Sequence, residues 1–94
     1  MTKIDVTVTS EPQMKHNKNN EPYVTFYAID NSTKNSSKAY FVVVYNKYSM
    51  NQAYLYLNKG DKVTLEGKLK PSDKTEQRFI MRSIGTDFIE KIYS

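Results

Sequence analysis

The stretch Tyr56-Leu57-Asn58-Lys59-Gly60-Asp61-Lys62-Val63-Thr64-Leu65-Glu66-Gly67-Lys68-Leu69 joins two elements of different period. Its first residues end a short helix, and Lys59-Gly60-Asp61 make a turn. Val63 and Leu65 then alternate with Thr64 and Glu66, as in a half-buried strand. A helix therefore leads directly into a sheet and caps it. Gly67 falls inside the strand pattern, where a missing side chain weakens packing and marks a bulge or a sharp bend. A sheet bent at such a point curls on itself, which predicts a small closed barrel.

Upstream, Ser49 to Leu57 carries Met50, Ala53, Tyr54 and Leu57 at the spacing of one helix face, with Ser49 in position to cap its N-terminus. Before it, Ala39 to Lys47 is a continuous apolar run, the pattern of a strand buried on both faces or using its outer face for something else. Tyr23 to Ile29 alternates, with Val24, Phe26 and Ala28 on one face and Tyr23, Thr25, Tyr27 and Ile29 on the other. If the Val24 face is the core, Tyr23 and Tyr27 lie outside, where large exposed rings serve an interface or a binding platform. Lys3 to Thr9 alternates Ile4, Val6 and Val8 with polar residues and forms the first strand. Ser10-Glu11-Pro12 interrupts it, because proline cannot donate to a central ladder, and Met14, Lys15 and His16 continue it after a bend.

Two polar connections follow the first and second strands, His16 to Pro22 and Asp30 to Lys38. Downstream, the fourth strand runs from Lys62 to Lys70, and a hairpin holding Pro71, Ser72, Asp73, Lys74 and Thr75 leads to a fifth near Gln77 to Ile84. In that strand either Phe79 and Met81 or Ile80 and Ile84 can face inward. Phe88 to Tyr93 reads as a last short strand. Three strands, a helix and two strands make an all-β fold, the five-stranded Greek-key OB-fold with one short helix between strands three and four. In this barrel strands two and three and the adjoining loops bind oligonucleotides or oligosaccharides.

At 94 residues the chain forms a single domain, residues 1–94. It has no cysteine, so disulfides do not hold it and a reducing, cytoplasmic location is expected. Neither a signal peptide nor an apolar run of membrane-spanning length is present, and no membrane partner is expected. The formal net charge of +4 suits an anionic partner, and 8 Tyr and 4 Phe interleaved with Lys and Arg suit stacked bases and phosphates together. Catalysis finds little support: His16 is the one histidine, stands in a polar loop, and has neither a cysteine for a zinc site nor a local nucleophile motif. No cofactor or metal is expected.

Several blocks resemble the bacterial single-stranded DNA-binding proteins. Tyr56 to Leu69 is similar to that family's Tyr-Leu-x-Lys-Gly-Asp-x-Val-x-Val-Glu-Gly-x-Leu block. Glu11-Pro12-Gln13-Met14-Lys15 is similar to its Asp-Pro-Glu-Leu-Arg, and Val42-Val43-Val44-Tyr45-Asn46-Lys47 to the end of its third strand. Phe26 matches a core Phe, and Asp87-Phe88-Ile89 resembles the closing strand. The chain departs from the family in having no Trp, with Ala39 where a strand-three Trp is often found. It also ends at Ser94 without the family's long tail and acidic tip. In length it resembles short, tail-less forms such as the primosomal replication protein or versions from phages and mobile elements.

The resemblance implies sequence-tolerant binding of single-stranded DNA in replication, recombination or repair, by a homo-oligomer, a dimer or tetramer paired through strand one. A replication protein is a further possible partner. It also implies that Tyr45 stacks a base. By strand parity, Phe41 and Tyr45 point outward on the same face as Tyr27, and Phe41 is a stacking candidate by geometry. Lys68, Lys70 and Lys74 on or near the strand four to five hairpin, Arg78 and Arg82 on strand five, and Lys15 and Lys18 by the first loop form a candidate phosphate track, with Lys47 at the end of strand three. Each lysine taken singly is equally readable as a solvated surface residue, and Phe41 and Tyr45 as packing under a loop or at a subunit interface. Two other functions remain open, an OB-fold protein-interaction subunit of a replication complex and an RNA-binding domain, since stacking alone does not distinguish ribose from deoxyribose.

Overall fold

The computed structural model describes residues 2–31, 38–70, 77–85, 87, 88 and 90. In chain order the elements are β1 (Thr2–Val8), β2 (Gln13–His16), β3 (Pro22–Asp30), β4 (Ala39–Val44), α1 (Lys47–Tyr56), β5 (Lys62–Lys70) and β6 (Gln77–Ile84). β1 and β2 are the two halves of the bent first strand, so the barrel counts five strands. The sheet runs β1-β5-β6-β4-β3-β2, and β1 also pairs with β3 through Val6 to Val8, which closes it. β4 and β6 run parallel, and the other pairs are antiparallel. This is the OB-fold that the element order predicts.

The bend between β1 and β2 keeps its backbone satisfied. With the strand broken at Pro12, the Tyr27 N–H donates to the Ser10 hydroxyl at 2.8 Å, while the Thr9 N–H donates to the Tyr27 carbonyl at 2.8 Å. The turn before β5 is fastened to the same bend. The Gly60 N–H donates to the Val8 carbonyl at 2.7 Å, and the Lys59 N–H donates to a Glu11 carboxylate oxygen at 3.1 Å. Gly60 has φ of 96°, in the left-handed region that glycine adopts without steric cost.

The inward residues are Val6 and Val8, Val24 and Phe26, Tyr40, Val42 and Val44, Val63 and Leu65, and Phe79, Met81 and Ile84, all buried. The two candidate inward sets of the fifth strand both contribute, through a bulge. Leu65 pairs with Ile84 and Glu66 with Ser83, but Gly67 pairs with Met81, so Arg82 is an extra residue. Phe79 and Met81 point inward before it and Ile84 after it. Ile80 faces outward and is half-buried. Gly67 makes this possible, since a Cβ there would overlap the Ile80 carbonyl oxygen and lie 2.9 Å from Met81 Cα.

Three expectations are corrected. The third strand ends at Val44, and α1 begins at Lys47 with Asn46, not Ser49, as its cap. Asn46 Oδ1 accepts from the Tyr48 and Ser49 N–H groups at 3.0 and 3.3 Å. The Ser49 hydroxyl is buried and donates to the Arg82 carbonyl at 2.6 Å, satisfying a backbone group at the bulge. Tyr54 lies off the buried face of α1: Ser49, Met50, Gln52, Ala53 and Leu57 are buried, whereas Tyr54 is 49% exposed. Finally, Asp87, Phe88 and Glu90 are helical rather than a last strand. β6 already has β4 and β5 on its two edges, and Phe88 instead turns its ring into the core, its N–H donating to the Gly85 carbonyl at 3.1 Å. The connection at 32–37, the hairpin at 71–76 with Lys74, and the rest of the C-terminal segment lie outside the described residues. Among the described residues no helix is long and apolar enough to cross a membrane.

Two stability measurements follow from this packing. Gly67→Ala should lower stability by about 2–3 kcal/mol, since the clash is with backbone. Gly60→Ala, where a Cβ meets open space, should lose about 1 kcal/mol through its φ alone. Thermal melts of the two variants should therefore differ by several degrees, and equal melts would remove the close approach as the reason for the glycine. Tyr40 is buried and its hydroxyl donates to Asp30 Oδ2 at 3.3 Å; burial first, then the Asp30 charge and this bond, raise its pKa above 10.0. As pH rises past about 10 the unfolded chain gives up this proton while the folded chain keeps it, so stability should fall with pH there. Denaturant midpoints between pH 9 and 11 should show a shallower fall for Tyr40→Phe.

Candidate nucleic-acid interface

The outer face of the barrel is a grid whose rows are set by strand register. Tyr27 on β3 stands opposite Phe41 on β4, Phe41 opposite Arg78 on β6, and Arg78 opposite Lys70 on β5. One residue pair along the strands, Thr25, Val43, Ile80 and Lys68 form a second row, continued by Gln13 on β2. The third holds Lys15 and Tyr23, with Tyr45 beside them just past the end of β4. The aromatic rings thus lie on the β3–β4 side, with Lys68, Lys70, Arg78 and Arg82 on the β5–β6 side and Lys15 on β2 at the other edge.

The rings pair across the two strands. Tyr27 and Phe41 have centroids 5.1 Å apart and tilted by 47°, and Tyr23 and Tyr45 are 5.7 Å apart and tilted by 39°. Such tilted contacts contribute on the order of 1 kcal/mol per pair and hold the rings at defined angles. Thr25 and Val43 between them are only 4% and 3% exposed, so the rings supply most of the accessible surface here. Tyr27 and Tyr45 are 43% and 56% exposed, and Phe41 is half-buried. Tyr27 lies four residue steps along β3 from Tyr23, about 13 Å at ~3.3 Å per residue. The face therefore offers two separate ring platforms rather than one.

Cations border the rings. The Lys15 ammonium lies 6.0 Å and the Arg78 guanidinium 5.8 Å from the Phe41 ring centre, the range of a cation–π contact. Arg82, Lys68 and Lys70 join Arg78, Tyr45 and Ile80 around a hollow of about 330 Å3. A larger groove of about 720 Å3 lies on the β1–β5 side, but four carboxylates, Asp5, Asp61, Glu66 and Asp87, line it against two lysines, Lys3 and Lys62. That balance repels phosphates, so charge selects the smaller hollow as the candidate site. Among the described residues no group of three or more His, Cys, Asp or Glu could hold a metal ion.

The expected site residues fall into two groups. Lys15, Tyr27, Phe41, Tyr45, Lys68, Lys70, Arg78 and Arg82 share the outer face. Lys18 sits exposed in the β2–β3 loop, a tight turn in which Asn17 Oδ1 accepts from the Asn19 and Glu21 N–H groups. Lys47 is the exposed first residue of α1. Neither lies in the three rows, and Lys74 is outside the described residues. Two residues join the site residues expected above, Tyr23, which the sequence places on the outer face, and Ile80, which it does not single out. Tyr23 completes the second ring pair, and Ile80 contributes the apolar residue of the hollow. Parity alone puts Tyr23 on the outer face; its partner follows only from the β3–β4 register.

A closed OB barrel with an aromatic and basic outer face belongs to the class of oligonucleotide-binding domains. Within it, the model of the single-strand binding protein family matches residues 4–84, and the chain belongs to that family. A mitochondrial single-stranded DNA-binding protein of S. cerevisiae, Rim1, superposes with a TM-score of 0.77 at 19% identity, covering 89% of both chains. A small single-stranded DNA-binding protein of Streptomyces coelicolor gives 0.76 at 22% identity, covering 89% of this chain and 88% of that one. The Plasmodium falciparum protein, solved with single-stranded DNA, gives 0.66 at 21% identity, covering 87% and 85%. At these identities the likeness is one of fold. Comparison with curated proteins gives no match.

The geometry separates surface rings from core residues. Tyr45→Ala should leave the melting temperature within a few degrees of the parent, as exposed substitutions do. Val42→Ala, one of the fully buried neighbours, should cost about 2 kcal/mol. A Tyr45→Ala chain that unfolds at room temperature would mean that the ring is core.

Proposed function

We propose that this chain binds single-stranded DNA, largely without sequence preference and without catalysis, in replication, recombination or repair. The observation that carries the reading is the grid of two ring pairs flanked by Lys15, Lys68, Lys70, Arg78 and Arg82, on a member of the single-strand binding protein family. Every base has a π-face, so Tyr27, Phe41, Tyr23 and Tyr45 accept any base, each stack contributing about 1–3 kcal/mol. Phosphates then follow the cations of β5 and β6. The tyrosine hydroxyls and lysines leave deoxyribose and ribose to be told apart by experiment.

The working unit is a homo-oligomer. The register of β1 with β3 covers only Val6 to Val8, whereas that with β5 begins at Thr2. Among the described residues, with the Asn31 N–H bonded to the Asp5 carbonyl at 2.9 Å, no strand pairs with the second edge of Thr2 to Ile4, the kind of edge through which a second copy adds. A second reading, an OB subunit that meets a replication protein, is favoured by the outward side of α1, where Tyr54 and Leu55 are 49% and 66% exposed.

Fluorescence anisotropy with labelled oligo-dT, oligo-rU and a matched duplex across a salt series tests the proposal. The single strand should bind far better than the duplex, with a steep salt slope. Tyr45→Ala and Phe41→Ala should each weaken it several-fold, and Lys68→Ala with Lys70→Ala should flatten the slope by roughly 0.7 for each phosphate no longer neutralised. Equal binding of duplex and single strand would overturn the reading, and no binding at all would favour the protein-contact one.

A further inference from the structure

The hollow beside Tyr45 is more highly charged than a passing strand requires. Among the described residues its lining is Tyr45, Lys68, Lys70, Arg78, Ile80 and Arg82: four cations, one ring, one apolar side chain and no carboxylate. Register brings them together. Lys70 stands opposite Arg78 and Lys68 opposite Ile80, while Arg82 is the extra residue of the bulge, its carbonyl held by the Ser49 hydroxyl at 2.6 Å. None of the four cations is in an ion pair with a described residue. Their mutual repulsion is relieved by an anion seated among them.

An internal phosphodiester brings a single negative charge. A phosphomonoester brings about −1.5 to −2 at pH 7 and three strong acceptor oxygens, a closer match to four cationic heads with several N–H donors each. The volume of about 330 Å3 is at the small-ligand end of binding pockets, beyond what a phosphate alone fills, and the 56%-exposed Tyr45 ring gives it a wall on which a base can stack.

We propose that this hollow receives the phosphorylated terminus of a single strand, the monoester among Lys68, Lys70, Arg78 and Arg82 and the terminal base against Tyr45. This rests on the single-strand reading above. A free nucleotide carries the same chemistry, but Tyr23 stands beside Tyr45 and a second ring pair, Tyr27 and Phe41, lies farther along the face, platforms that a mononucleotide leaves bare and the following bases of a strand cover. The site would give the protein a preference for strand ends over internal stretches.

The test uses an internally labelled oligo-dT of about eight nucleotides, a length within the usual site of one OB-fold, with a 5′-phosphate, a 3′-phosphate or hydroxyls at both ends. Anisotropy at constant ionic strength should give one phosphorylated form an affinity roughly fivefold or more above the hydroxyl-ended form. Arg82→Gln and Lys68→Gln should each abolish that difference, whatever they do to affinity as a whole. Equal affinities for all three oligonucleotides would overturn the terminus site and leave single-strand binding standing. Thymidine 5′-phosphate competing as well as the phosphorylated oligonucleotide would assign the hollow to a free nucleotide and overturn the terminus. Absence of binding by every oligonucleotide would overturn the single-strand reading itself.

Discussion

At Gly67 the backbones of β5 and β6 approach so closely that a Cβ would overlap the Ile80 carbonyl, and the barrel depends on that contact. The approach coincides with the register shift between Glu66 and Gly67, which leaves Arg82 unpaired on the facing strand. A regular β6 could put Phe79 and Met81 in the core or Ile84, but not all three. The bulge lets all three in and sharpens the twist as the sheet closes on β1. Ser49 of α1 then supplies the hydrogen bond that the Arg82 carbonyl takes, so helix position and barrel closure are set at one place.

The outer face inherits its order from this arrangement. Since β4 runs between β3 and β6, the ring pairs of β3 and β4 lie directly beside the cations of β6 and β5. The carboxylates Asp5, Asp61, Glu66 and Asp87 gather on the far groove, away from them. The net charge of +4 therefore understates the local field: among the described residues the hollow beside Tyr45 is lined by four cations and the far groove by four carboxylates. The cation–π contact of Arg78 with Phe41 links the two halves of the face, and Lys15 on β2 meets the same ring from the other edge.

Much of this was legible from local pattern. The alternation in Val63 to Leu65 and the break at Pro12 each reflect a short-range rule, and strands four and five fall where such rules put them. The misreadings share a cause. Ser49 and Asn46 are both good caps, and the choice between them turned on Ser49 facing the bulge across 33 residues. Tyr54 fits a helical stripe, but the side of α1 that meets the barrel is set by β3, β4 and β6, not by the stripe. Phe88 alternates with its neighbours as a strand would, yet no edge of β6 is left for a strand to join.

The sequence by itself determined the barrel, its element order, the outward parity of Tyr27, Phe41 and Tyr45, and the glycine on which closure turns, because period and steric preference act within a few residues. Only the tertiary structure decided which rings pair, that Tyr23 meets Tyr45, that both candidate faces of the fifth strand contribute to the core, and that Lys68, Lys70, Arg78 and Arg82 surround one hollow. Those relations are fixed by register between strands distant in sequence. A shift of one residue would turn each of those side chains to the opposite face, which the buried core of the barrel forbids.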